Sequence, residues 1–443
     1  MSQEKLLTNM FMKAIALSTA FLCIACNINN SSNPASNSYT PYVTDLDGVF
    51  TSEDYLRIKD DKVVNAKNEE FYMRGVNVGG LFVTEAWMCA TRMSHGRTDH
   101  LTLTNTLFER FGEEKTQNIW KEYRDAFWGE EDLENCEEMK INTLRLPFSY
   151  MTVDPAFHNV PKKEGQEFNF DLLDNFIEGT ARYGIYVILD LHGAYGSQSG
   201  QDHTGQIISD VEDVDFYSNI EKQNKTIHLW EELAKHYKGV NSIAAYDILN
   251  EPGEKGGTTS QRHWEFFDKV YEAIRKIDED RPIIMESCWD GNNLPKPSDY
   301  QWNNVIYSFH HYTGDSNAES HIESFKSKLN GVYAQPYQVP FYMGEFNCYG
   351  NASSWRGTLS LLNAEKWHWT SWTYKLNIVQ EGNRYPGWGI YYSHQEYIWF
   401  DTDSYEEILE KVSNLDTTQD SVEKMTFENT VTLERIMRMY CEQ

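Results

Sequence analysis

Tyr186-Val187-Ile188-Leu189-Asp190-Leu191-His192-Gly193 is the stretch whose reading decides the fold. Its apolar start lacks the alternation of a strand with one wet face, and suits a parallel strand covered on both sides. Further runs of the same kind lie at Phe71–Asn77, Ile141–Pro147, Ala244–Asn250, Pro282–Ser287, Val305–His310, Phe341–Phe346 and His368–Tyr374. The segments between them carry helical periodicity. Phe170, Leu173, Phe176, Ile177 and Ala181 share one face and stop at Gly184. Ile227, Trp230, Leu233, Ala234 and Tyr237 do the same before Gly239. Ser260 is placed to cap a helix with the stripe Trp264, Phe267, Val270, Ile274 and Ile277. Strands alternating with helices close into a (β/α)₈ barrel or open into a doubly wound sheet.

The polar residues choose between the two. Arg145 sits inside the second run, and the third ends in Asp190-Leu191-His192. The fourth ends in Asn250-Glu251-Pro252, the sixth in His310-His311-Tyr312 and the seventh in Gly344-Glu345. A lone histidine or arginine in a strand is more often a satisfied core residue. So many at strand ends are hard to explain as packing. A barrel gathers them at its C-terminal mouth, whereas an open sheet spreads them along an edge. The expected fold is therefore an α/β TIM barrel with a short N-terminal hairpin around Asp60-Asp61 and a C-terminal helical extension over 403–442.

Composition narrows the partners. A formal net charge of −28 argues against nucleic acid and anionic membrane surfaces, which need basic patches. The aromatic share of 14%, including 13 Trp and 27 Tyr, suits stacking on sugar rings or aromatic packing equally. Lys13 precedes an apolar run, Ala14–Ala25, too short to span a bilayer and read as a signal peptide over 1–25. Cys26 is then placed as the lipidated first residue of an exported lipoprotein, although Cys23 stands where such signals usually have Leu; a simply cleaved signal is the alternative. Residues 26–48 read as a flexible Ser/Asn tether, and 49–443 as one domain. The remaining cysteines, Cys89, Cys136, Cys288, Cys348 and Cys441, form no paired motif, so no zinc site and no other metal or cofactor is expected. A Cys89–Cys348 disulfide is left open, with buried free thiols the favoured reading.

Two carboxylates at the ends of strands four and seven carry the chemistry. Glycoside hydrolysis needs one protonated carboxyl to protonate the leaving oxygen and one carboxylate to attack the anomeric carbon, about 5.5 Å apart in retaining enzymes. Glu251 is assigned as acid/base and Glu345 as nucleophile. Arg145 is expected to keep Glu345 ionised, and Tyr312 to hydrogen-bond to it. Asn250 is assigned to the sugar 2-hydroxyl, His192 and His310 to ring hydroxyls or support of the acid, and Trp372 to a stacking floor.

With these residues in order, residues 70–375 resemble glycoside hydrolase family 5, whose signatures match Asn250-Glu251-Pro252 and Gly344-Glu345. Within it, Arg74-Gly75-Val76-Asn77-Val78-Gly79-Gly80, Thr84-Glu85-Ala86-Trp87 and the loop through Gln201-Asp202-His203-Thr204 are similar to the exo-β-1,3-glucanase branch. That resemblance implies that Glu85 binds the non-reducing glucose. The loop Met88–Arg92 departs from that branch. So does the end of strand eight, Trp369–Lys375, which lacks an acidic residue found in fungal members. Trp388 reads as a plus-side platform or as a loop anchor. The expected substrate is a β-glucan or β-glucoside, with a glycolipid or β-mannan on the same scaffold as the alternative. A non-catalytic glycan-binding lipoprotein would dispense with both carboxylates and Arg145, and all are present.

Overall fold

Eight parallel strands close into a barrel in the computed structural model, and each falls on one of the apolar runs. They are β1 (Arg74–Asn77), β2 (Thr143–Ser149), β3 (Tyr186–Gly193), β4 (Ile243–Asp247), β5 (Ile283–Glu286), β6 (Val305–His311), β7 (Phe341–Phe346) and β8 (His368–Ser371). β8 pairs with β1 to close the ring, with Trp369 opposite Arg74. The structure describes residues 46–210, 214–253, 261–287, 291–314, 317–378, 387–394, 396–415, 423–427 and 431–442. The signal segment, Cys26, Ser260, Cys288 and Tyr385-Pro386 lie outside the described residues. Fixed contacts reach back into the stretch read as tether: Leu46 is buried, and the Asp47 carboxylate accepts the N–H groups of Asn241 and Ser242.

Side chains alternate along every strand, and that alternation builds two cores. Leu144, Leu146, Val187 and Leu189 point outward, into the cluster that also holds Phe176, Trp230 and Leu233 of the surrounding helices. Helices Asp171–Arg182, Ile220–Tyr237 and Gln261–Arg275 fall on the expected stripes, with Ile277 beyond the end of the third, and Gly184 ends the first with φ 67°. The opposite parity, Ile188, Ala245, Ile284, Ile306 and Tyr342, fills the barrel interior. The N-terminal hairpin, Arg57–Lys59 with Lys62–Val64, turns on Asp60 and Asp61, both at positive φ. Its neighbours Leu56 and Val63 plug the interior from below. Apolar residues thus fill the bottom of the barrel, and the next inward positions, nearer the mouth, are polar.

Strands four and eight are shorter than their apolar runs suggest. β4 ends at Asp247, and the chain reaches Glu251 through Asn250, whose N–H bonds Leu191. After Ser371 the chain leaves the barrel, and Lys375–Ile378 pairs with Tyr391–His394 instead. Lys375 there buries its ammonium against Asp132 at 2.7 Å. The segment Met88–Arg92 also joins a side sheet, since Thr91-Arg92 pairs with Ile398-Trp399. At the C-terminus, helices Tyr405–Ser413 and Leu433–Cys441 pack outside the barrel; the second fixes Arg74 and Asn363 through the Tyr440 carbonyl. Cys89, Cys136, Cys348 and Cys441 are all buried and unpaired, so Cys89 and Cys348 form no disulfide.

Candidate active site

Because side chains alternate, the residue two places beyond each inner apolar position faces the mouth. Ile188 is followed by Asp190 and His192, Ala245 by Asp247, Ile284 by Glu286, and Ile306 by Ser308 and His310. A register shift between Met343 and Glu345 sets Glu345 beside His310 of β6. Gly344 permits it: a Cβ there would lie 2.6 Å from Ser308 Oγ and 3.0 Å from His310 Nε2.

Arg145 organises this layer. Its Nη1 bonds Glu345 Oε1 at 2.7 Å and Asn77 Oδ1 at 3.0 Å, and its Nε bonds Asp247 Oδ2 at 2.9 Å. Its Nη2 bonds Asn250 Oδ1 at 2.9 Å and lies 3.1 Å from Asp190 Oδ1. Glu286 approaches the same Nη2 at 3.6 Å. All of these side chains are buried. One guanidinium cannot offset four ionised carboxylates in so dry a place, so some hold protons. Burial pushes Asp190 and Asp247 up to about 7 each, against the pull of Arg145.

Glu345 and Glu251 meet across the mouth. One oxygen of each and one ring nitrogen of His310 all lie within 4.8 Å of one another. That oxygen-to-oxygen span accords with the separation of about 5–5.5 Å of retaining enzymes, not the 6.5–9.5 Å of inverting ones. Glu345 receives a second hydrogen bond on Oε2 from Tyr312 at 2.8 Å. Glu251 instead faces His310 Nδ1 at 3.0 Å and His203 Nδ1 at 3.8 Å, and burial keeps both histidines below their usual range and neutral. Burial and then the Glu345 charge hold the Glu251 carboxyl well above the usual carboxylate range. Burial raises Glu345 too, but Arg145 and the Tyr312 hydrogen bond oppose it. A shared proton therefore resides on Glu251. The Glu251 backbone has φ 39°, an uncommon conformation for a residue with a side chain, and Glu286 Oε1 holds its N–H at 3.0 Å. The Glu345 oxygens are already committed to Arg145 and Tyr312, so the trio reads as carboxylate chemistry rather than as a ligand set.

The other expected residues assemble nearby. His192 Nδ1 meets Asp190 at 2.6 Å, so its Nε2 accepts from Asn250 Nδ2 at 3.3 Å and orients that amide. Its ring lies parallel to Trp372, centroids 5.4 Å apart. Glu85 is buried, accepts the Trp87 indole N–H at 2.8 Å, and is raised to about 8 by burial and by Asp202. Trp388 packs on Trp87 at 5.0 Å and Tyr312 at 5.5 Å, among the groups around Glu85 and Glu345. Asn77, Asp247 and Glu286 received no role from the sequence. Asp247 and Glu286 were accessible to it: each stands two places after an inward apolar residue of its own strand.

The family model for cellulase, glycosyl hydrolase family 5, matches residues 110–377, more than half the chain. The chain belongs to glycosyl hydrolase family 5. It is an O-glycosyl hydrolase on a TIM barrel, a retaining β-glycoside hydrolase that acts on carbohydrate. It is 27% identical over 356 residues to a β-xylosidase of Phanerodontia chrysosporium, covering 72% of this chain and 71% of the relative. It is also 27% identical over 250 residues to a probable glucan 1,3-β-glucosidase A of Aspergillus fumigatus, 54% of this chain and 55% of the relative. The chain thus spans about half the length of that glucosidase. Among solved structures, the rutinosidase from Aspergillus niger superposes with a TM-score of 0.57 at 15% identity, over 72% of this chain and 95% of that one, a likeness of fold.

Proposed function

We propose that this family 5 enzyme releases terminal β-linked glucose from glucans and glucosides, with Glu251 as acid/base and Glu345 as nucleophile. The observation that carries the reading is the asymmetry of the pair: Glu345 is bound by a guanidinium and a phenol, Glu251 by neutral imidazoles. In the first displacement Glu251 gives its proton to the leaving oxygen while Glu345 attacks the anomeric carbon. In the second, the Glu251 carboxylate takes a proton from water, which attacks the glycosyl-enzyme and frees Glu345 with net retention. Asn250 Nδ2 keeps one N–H for the 2-hydroxyl, since His192 takes the other. Trp372 serves as the floor under the sugar. Glu85, protonated at neutral pH and braced by Trp87, closes the non-reducing side together with Asp202 and His203, and this supports exo action.

A second reading is a β-xyloside substrate, favoured by the name of the Phanerodontia relative. Export also belongs to the proposal, supported by Lys13 and the apolar run Ala14–Ala25, with Cys26 as the proposed site of lipid attachment.

The test is turnover of aryl β-glucoside, aryl β-xyloside and β-1,3-gluco-oligosaccharides followed by proton NMR. The expected first-formed sugar is β-glucose, released from an oligosaccharide together with a chain one residue shorter. An α-anomer first refutes retention, and cleavage of the oligosaccharides into fragments without release of free glucose refutes exo action. Faster release of β-xylose selects the second reading.

A further inference from the structure

The polar layer contains one acid that double displacement leaves without a task. Glu286 is buried at the end of β5; its Oε1 accepts the Glu251 N–H at 3.0 Å and lies 3.3 Å from His310 Nε2. Its other oxygen has no hydrogen-bond partner. His310 thus sits between two acids, with Nδ1 at 3.0 Å from Glu251 Oε1 and 3.5 Å from Glu345 Oε2.

The geometry assigns the protons. A neutral imidazole carries hydrogen on one nitrogen only. A bare Nδ1 would set its lone pair toward the ionised Glu345 at 3.5 Å and take the Glu251 hydroxyl in a hydrogen bond. A hydrogen on Nδ1 instead faces that charge and leaves the Glu251 proton free for the leaving oxygen, so the reading of Glu251 as the acid places the hydrogen on Nδ1. Nε2, which makes no hydrogen bond among the described residues, then has its lone pair 3.3 Å from Glu286 Oε1, and an ionised Glu286 would set lone pair against lone pair.

We propose that Glu286 is held as a neutral carboxylic acid that donates a hydrogen bond to His310 Nε2, which locks His310 as the Nδ1–H tautomer and makes Glu286 a positioning residue for the Glu251–Glu345 pair. The inference rests on the reading of Glu345 as the ionised nucleophile. The groups facing Glu286 are Arg145 of β2, Asp247 of β4, Glu251 beyond it, Glu345 of β7 and His310 of β6. Of these, Arg145 alone favours the ionised form; burial, the largest cause, and the other carboxyls hold the Glu286 pKa well above its usual range. His310 in turn faces the cations Arg145 and Lys328 and the imidazoles of His192 and His203, and burial leads in keeping it neutral. With Nδ1–H fixed, His310 donates to Glu251 at the stage when Glu251 has lost its proton and must act as base. Of the two imidazoles facing Glu251, His310 is the one at hydrogen-bond distance, at 3.0 Å against 3.8 Å for His203.

Nitrogen-15 NMR of the intact protein, with His310 assigned, reads the tautomer directly: the expected signature is a protonated Nδ1 and an unprotonated Nε2 at neutral pH. Infrared difference spectroscopy against Glu286→Gln should lose a protonated-carboxyl band. In Glu286→Leu, His310 can turn its hydrogen to Nε2 and accept from the Glu251 hydroxyl on Nδ1. That stabilises protonated Glu251, so the alkaline limb of kcat/KM moves to higher pH. An Nε2–H tautomer in the parent, or loss of a carboxylate band in Glu286→Gln, overturns the proposal. The nitrogen-15 spectrum of the parent stands without any variant folding. Failure of azide to rescue Glu345→Gly would instead refute the nucleophile reading, whichever tautomer is found.

Discussion

Replacing Tyr312 with phenylalanine isolates one of the groups that keep Glu345 ionised. The phenol donates to Glu345 Oε2 at 2.8 Å, and its ring packs 5.5 Å from Trp388, a contact that phenylalanine retains. A hydrogen bond to a charged group contributes about 1.5–3 kcal/mol. The bond favours the ionised carboxylate, and each pKa unit corresponds to about 1.4 kcal/mol. Its loss therefore raises the Glu345 pKa by about 1–2 units. Glu345 attacks only when ionised, so the acid limb of kcat/KM moves to higher pH by that amount. The alkaline limb reports Glu251 in the free enzyme and moves much less. Below the new limb kcat/KM falls about 10–100-fold, and it recovers above it. The assay is the pH dependence of kcat/KM on an aryl β-glucoside for parent and Tyr312→Phe. A uniform loss at every pH with an unmoved acid limb would refute the assignment of Tyr312 to the ionisation of Glu345.

Three further outcomes are expected. Glu345→Gly removes the attacking oxygen, and added azide should restore turnover and release the inverted α-glycosyl azide, identified by NMR; absence of rescue removes Glu345 from the nucleophile role. Gly344→Ala drives a Cβ into Ser308 and His310, at 2.6 and 3.0 Å. Misplacement on the order of 1 Å should then cost about 100-fold in kcat/KM, and activity near the parent's would mean that the β6–β7 spacing gives way without moving His310. Lys375→Met leaves Asp132 buried without its ammonium at 2.7 Å. Chemical denaturation should show a loss of about 3–5 kcal/mol, and a change below about 1 kcal/mol would refute the stabilising role of the buried pair.

The barrel itself was legible from local pattern. Apolar runs such as Tyr186–Leu189 and helical stripes such as Leu173–Phe176–Ile177 are consequences of burial on two faces or one, and a linear sequence displays both periods. Glu251, Glu345, Arg145, His192, Asn250, His310 and Tyr312 were legible for a related reason. A polar group at the end of an apolar run is costly unless it has work there, and it stands out. Glu286 and Asp247 obeyed the same alternation but lay inside runs read as plain strands. Where strands four and eight stop was not local either. The Asn250 N–H bond to Leu191 and the pairing of Lys375–Ile378 with Tyr391–His394 join residues far apart in the chain.

The order of strands and helices, the short hairpin around Asp60-Asp61 and the choice of Glu251 and Glu345 as the candidate pair follow from the sequence by itself, because hydrophobic period and residue type are local properties. Which protons these groups hold was decided only by the tertiary structure. The charge state of Glu251 against Glu345 depends on a guanidinium from β2, a phenol beyond β6 and an imidazole of β6 meeting within hydrogen-bond distance. In that water-poor layer electrostatic energies vary steeply with distance, and only the closed barrel sets those distances.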